Sequence, residues 1–237
     1  MADYYFNGIY KTHMVPKLIA FFCLIILSFQ PEYGYSENNS NQKDGVVTWI
    51  LNDLVNSKTV DRIIGKPKTV ESNYGNALAF NGLNDGIFLD EIPLSNQDEF
   101  TIEAIFCPEK GGNFEQRFLH IGEISGDRVL LEIRTTATDW YFDAFVKSGE
   151  QQKTLIEPKY LHPLNQWYHV SLVVDHGKLT TYINSQKELE GNMPFTPIKI
   201  GKTSIGVRLN EQSWFKGAIY KIRISPEALN PIDFMDY

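Results

Sequence analysis

Three consecutive apolar segments carry ionisable side chains that the packing of a sheet does not require. They are RFLHIG (117–122), VLLEIRT (129–135) and WYFDAFV (140–146). Side chains alternate across a strand. Phe118 and His120 then share a face of the first segment, Leu130, Glu132 and Arg134 of the second, and Tyr141, Asp143 and Phe145 of the third. Paired as a meander, these strands place His120, Glu132, Arg134, Tyr141 and Asp143 on one concave surface. Arg117 points the other way unless a bulge intervenes, and Arg208, in SIGVRLN, joins from a distant strand. Carboxylates and guanidinium groups hydrogen-bond hydroxyls in bidentate fashion, and aromatic faces cover the apolar side of a sugar ring. The set therefore suits carbohydrate binding. Glu132 and Asp143 also have the chemistry of a glycosidase carboxylate pair. A third reading is an exposed antiparallel face, polar by alternation and stabilised by Glu–Arg cross-strand pairs. Burial separates the three.

The elements that would position these residues are short apolar runs broken by turn signals, the pattern of an all-β chain. Strands are predicted over 46–51, 77–80, 86–90, 100–107, 116–122, 128–135, 140–147, 153–157, 167–175, 178–184, 199–200, 204–209 and 214–224. Asn81-Gly82, Asp85-Gly86, Gly111-Gly112, Ser148-Gly149 and His176-Gly177 supply the positive-φ positions of tight turns. Many short strands at this spacing predict a two-sheet antiparallel β-sandwich of jelly-roll type. One helical signal stands near the end, where Ser225 caps, Pro226 opens, EALN follows and Pro231 stops it. In 167–175, Tyr168, Val170, Leu172 and Val174 form the packing face, opposite His169 and Ser171. Trp167 is read as a core-rim aromatic. Gly217 is read as a bulge or a close backbone approach.

The 237-residue chain opens with lysines 11 and 17, then an apolar run of about a dozen residues at 18–29 (LIAFFCLIILSF). A small-x-small pattern, Gly34-Tyr35-Ser36, follows. Residues 1–36 are read as a signal peptide, with a retained signal anchor as the alternative, residues 37–44 as a polar linker, and 45–237 as the sandwich domain. The expected location is secreted, periplasmic or cell-surface. Cys107 is then the one cysteine of the domain and is read as a small buried hydrophobe. A net charge of −7 without basic clusters excludes nucleic acid, and membrane contact beyond the leader, as partners. His162, His169 and His176 lack metal-ligand spacing with another His or Cys.

Four segments, in order, resemble the laminin G-like family of the concanavalin A-like lectin/glucanase superfamily, as found in bacterial secreted proteins. They are YGNALAFNGLNDGIFLD (74–90), EFTIEAIFCP (99–108), NQWYHVSLVVDHGKLTTYINSQKEL (165–189) and IGVRLNEQSWFKGAIYKIRISPEAL (205–229). The resemblance implies the sandwich fold and an extracellular glycan or surface protein as partner. It leaves function open, because folds host many functions. The expectation is a non-catalytic, carbohydrate-binding domain. The alternatives are a glycoside hydrolase using Glu132 and Asp143, a polysaccharide lyase using His120, Tyr141 and Arg134, and a protein-binding or surface-assembly module using loops. The E-x-D-x-x-E strand of the superfamily's glucanases is lacking. Tyr220 stands where many relatives carry an acidic residue associated with calcium. No cofactor is required, and calcium alone is left as a candidate, with Asn81, Asn84, Asp85 and Asp90 as oxygen donors.

Overall fold

The computed structural model describes residues 45–237; the expected leader (1–36) and linker (37–44) lie outside the described residues. In chain order the elements are β1 (Val47–Ile50), the single-turn helix α1 (Leu51–Leu54), β2 (Val60–Ile64), β3 (Lys68–Ser72), β4 (Gly75–Asn81), β5 (Gly86–Leu89), β6 (Glu99–Pro108) and β7 (Glu115–Gly122). There follow β8 (Arg128–Thr135), β9 (Asp139–Ser148), β10 (Gln151–Ile156), β11 (His162–Pro163), β12 (Tyr168–Asp175), β13 (Lys178–Ile183), β14 (Gln186–Asn192), β15 (Lys202–Ile205) and β16 (Lys216–Ser225). A 3-10 turn, Pro231–Asp233, lies near the C-terminus.

These strands form two antiparallel sheets of eight. One runs β14-β13-β12-β6-β16-β4-β3, with β1 beside β16; the other runs β10-β9-β8-β7-β15-β5-β2, with β11 beside β9. The apolar faces of the sheets meet in one continuous core. At its centre Phe106, from the first sheet, stacks on Phe118 at 4.7 Å and meets Trp140 edge-on at 5.2 Å, both from the second. Each fully buried aromatic contributes about 1.5–3 kcal/mol. Tyr168, Val170, Leu172 and Val174 point into this core, as their alternation predicts.

Some expectations fail for identifiable reasons. No helix forms over 226–230. The Thr101 hydroxyl of β6 donates to the Glu227 carbonyl (2.7 Å) and accepts from the Leu229 amide (2.9 Å), taking groups that a helical turn would use. Residues 199–200 are not a strand. β2, β3 and β14 were not predicted. They lie at the sheet ends, where polar residues on both faces blunt an edge and erase the alternation signal. Trp167 sits outside the main core, with Tyr220, on a small apolar patch formed by Ala77, Cys107 and Ala218. Cys107 is buried there, and burial, with Glu109 nearby, pushes its thiol up to about 11. Gly217 makes the close approach expected of it: at φ +147°, a Cβ would lie 2.2 Å from the Cys107 carbonyl oxygen.

The outer face of β6, β12 and β16 is closed by the chain end, where Phe234 and Met235 are buried. Beneath them Glu103 accepts from Arg223 (2.6 Å), from the Met235 amide (2.7 Å) and from His169 (3.0 Å). Burial alone would raise its pKa, but these bonds hold it below the ordinary carboxylate value. Among the described residues no helix is long and apolar enough to cross a membrane.

Candidate functional site

β7, β8 and β9 pair as the predicted meander, with Arg117 opposite Glu132, Glu132 opposite Asp143 and Arg134 opposite Tyr141. A register shift between Arg117 and Leu119 changes the faces of β7. Phe118 turns into the core instead of sharing a face with His120, and Arg117 joins Glu132 on the outer face. A bulge of this kind re-aims a side chain without ending the strand.

The outer face carries a compact charged network. Arg117 donates from Nε to Glu132 Oε1 (2.9 Å) and from Nη1 to Ser213 Oγ (2.5 Å) and to Glu115. Arg134 Nη2 lies 2.6 Å from Asp143 Oδ2. Its Nη1 lies 3.0 Å from Glu115 Oε2 and 3.4 Å from Glu132 Oε2. The angles leave Arg134 Nη1 and Glu132 Oε2 in charge contact without a directed hydrogen bond. Asp143 Oδ1 likewise has no donor. Glu132 and Asp143 are each 2% exposed. Burial, with the Asp143 charge, pushes Glu132 up to about 7, and burial raises Asp143 as well.

His120 and Tyr141 do not face open solvent. His120 is fully buried; its Nδ1 accepts the Leu209 amide (3.2 Å) and its Nε2 lies 3.0 Å from the Glu123 carbonyl. With Nδ1 accepting, Nε2 carries the proton. Burial pushes the imidazole down to about 3, so the ring is neutral and anchors the loop after β15. Tyr141 is 8% exposed beside Arg134. Arg208 donates from Nη2 to the Ile124 carbonyl (2.9 Å).

The network surrounds a cavity of about 140 Å³ lined by Arg117, Arg128, Glu132, Arg134, Asp143 and Arg208. Leu209 and Ile124 border a second depression of about 480 Å³, which also includes Arg62, Phe88 and Lys202. Phe114, 61% exposed, lies under the Arg134 guanidinium at 6.0 Å. Sequence reasoning missed Phe114, Glu115, Arg128 and Ser213. Arg128 was legible, since the alternation that selects Glu132 and Arg134 also selects it. Nothing local marks Ser213, which reaches the network from a distant loop.

The calcium candidates do not make a coordination shell. Asp85 accepts the amides of Lys66 (2.8 Å) and Asn81 (3.0 Å); Asn81 Oδ1 accepts those of Leu83 and Asn84; Asn84 Oδ1 accepts the Asn81 amide group. These oxygens serve a turn. Asp90 lies across the whole of β5 from Asp85, paired with Lys202 at 3.1 Å. Elsewhere Glu99, Asp175 and His176 bring ligand atoms within 4.8 Å of one another at the surface, a grouping their separation in sequence conceals. His162 pairs with Glu188 at 2.7 Å.

The family model of the concanavalin A-like lectin/glucanases superfamily, laminin G type, matches residues 80–233. No curated protein matches the chain. Among solved structures, domain 4 of AbnA, a GH43 extracellular arabinanase from Geobacillus stearothermophilus, in complex with arabinotriose, is 23% identical. The match covers 71% of this chain and 79% of that one, at a TM-score of 0.55. A heptameric SAP-like pentraxin from Limulus polyphemus is 19% identical over 65% of this chain and 76% of its own, at 0.52. The receptor binding domain of botulinum neurotoxin D is 16% identical over 73% of this chain and 46% of its own, at 0.55. Identities this low show a shared fold.

Proposed function

The chain belongs to the concanavalin A-like lectin/glucanases superfamily, and from that premise we propose that it is a non-catalytic recognition domain for an extracellular glycan, bound on the outer face of β7, β8 and β9. The observation that carries this is the charged cavity. Its polar atoms are held by ion pairs on three adjacent strands, and Glu132 Oε2 and Asp143 Oδ1 are left without directed partners. Neither atom reaches solvent, so the groups presented to a ligand's hydroxyls are the partly exposed guanidinium groups of Arg128, Arg134 and Arg208. The cavity alone is too small for a sugar ring. The adjoining 480 Å³ depression falls within the ~300–1,000 Å³ of ligand pockets. Phe114 offers an exposed aromatic face at the other side. Similarity to an arabinanase domain solved with arabinotriose and to a toxin receptor binding domain supports a binding role. In this reading residues 1–36 are an export leader and the domain works outside the cell.

A glycoside-active enzyme is the second reading, and one observation favours it: a Glu132 carboxyl that titrates at about 7 suits a general acid. Against it, both carboxyls are already engaged by guanidinium groups and closed from solvent. A polysaccharide panel, scored for gel retardation and for released products with and without calcium, tests the proposal. Retardation without products is expected. Released products that vanish in Glu132→Gln establish the enzyme instead, and silence across the panel transfers the role to a protein partner. Retardation lost on adding chelator restores a calcium requirement.

A further inference from the structure

We propose that the 140 Å³ cavity receives an anionic substituent, a carboxylate or sulfate carried by the glycan, so that the ligand is an acidic polysaccharide. This rests on the glycan reading above and names the ligand class of the same site. Four guanidinium groups line the cavity against two carboxyl groups. Arg117 and Arg134 are engaged by Glu115, Glu132 and Asp143. Arg128 and Arg208 have no ion-pair partner among the described residues. Each donates to one backbone carbonyl, Arg128 to Gly126 (2.7 Å) and Arg208 to Ile124 (2.9 Å). Their Nε atoms are closed from solvent and have no acceptor. Arg128 is held in place over the Phe145 ring at 4.8 Å.

The cavity thus gathers positive charge on partly exposed guanidinium groups that lack a carboxylate partner, an arrangement suited to an oxyanion. Its volume equals that of about five water molecules at ~30 Å³ each. That admits a carboxylate or sulfate group and leaves the sugar ring outside, over the adjoining depression. A cation is disfavoured by the guanidinium excess. Repulsion is already felt inside the protein. Burial and then Arg208 lower the Arg128 pKa, while burial and then Arg117 lower that of Arg208. The groups facing Glu132 are Glu115 and Arg117 from β7, Arg128 and Arg134 from β8, Asp143 from β9 and Arg208 from the loop after β15. Protonation of Glu132 removes a negative charge beside the incoming anion, so binding strengthens as pH falls from 8 to 6.

The test uses the full-length protein in affinity electrophoresis with matched probes: polygalacturonate against its methyl ester, and dextran sulfate against dextran. Retention of at least one acidic member at least about tenfold tighter than its neutral partner is expected (about 1.4 kcal/mol). Arg128→Gln and, separately, Arg208→Gln should each remove most of that preference, while Lys187→Gln, on β14 of the other sheet, leaves it. Which acidic probe is retained distinguishes carboxylate from sulfate. Equal retention of charged and neutral members overturns the inference and leaves the glycan reading standing. A preference reduced equally by Lys187→Gln marks non-specific charge attraction and also overturns it. No retention of these probes or of any glycan in the wider panel defeats both.

Discussion

Glu132→Gln has a stability signature that can be worked out from its surroundings. The carboxyl titrates near 4.5 when solvated and at about 7 in the folded protein, because burial and the neighbouring Asp143 charge disfavour ionisation. The folded state therefore binds more protons than the unfolded state between these values. The stability this group contributes is fully present below 4.5 and is lost as pH rises through 7. At about 1.4 kcal/mol per pH unit, the loss is roughly 3 kcal/mol. The side chain is almost wholly buried, so solvent screening takes little from that figure. Glutamine has nothing to titrate. It keeps an oxygen for Arg117 Nε but gives up charge pairing, which displaces the whole stability curve of the variant. The slope is the diagnostic quantity. Urea denaturation at half-unit steps from pH 4.5 to 7.5 should show the stability of Glu132→Gln gaining about 3 kcal/mol relative to the wild type as pH rises. Asp143, also raised by burial, feels the Glu132 charge in turn, so the slope difference reads the coupled pair rather than Glu132 alone. Parallel curves would refute the argument, since Glu132 would then be ionised as readily in the fold as in the unfolded chain.

Three further outcomes follow from the same structure. Arg117→Ala leaves Glu132 buried beside Asp143 without its nearest cation and should cost about 3–5 kcal/mol by chemical denaturation. Removing residues 234–237 uncovers Glu103 and His169 and gives up two buried apolar side chains, a loss of about 3–6 kcal/mol readable as a lower urea midpoint. Because the oxygens of Asn81, Asn84 and Asp85 are engaged in a turn, a chelator should leave Tm unchanged in differential scanning calorimetry.

How far the sequence could be read varied with the range of the signal. Alternation within β8 and β9 put Glu132, Arg134, Tyr141 and Asp143 on one face, where the fold has them, because period-2 patterning is local and both strands pair regularly. In β7 the same rule misplaced Phe118, since a one-residue bulge inverts the faces and no residue type in RFLHIG announces it. His120 was assigned to the correct face but not to its circumstances. The loop after β15 folds over it, and burial by a distant segment has no local mark. Edge strands β2, β3 and β14 were silent for the opposite reason, their exposed polar faces reading as loop. The expected helix after Ser225 had valid local chemistry and lost to one long-range side chain, Thr101.

Recognition of a glycan on the outer face of β7, β8 and β9 can be read residue by residue from NMR of the arginine Nε–H groups while a glycan retained in the panel is titrated in. Arg117, Arg128, Arg134 and Arg208 should shift together in saturable fashion, with the Phe114 and Leu209 amides. Arg223, under the C-terminal segment of the opposite sheet, should stay still. Shifts centred instead on Tyr74, Trp167 and Tyr220, or none with any member of the panel, would contradict it.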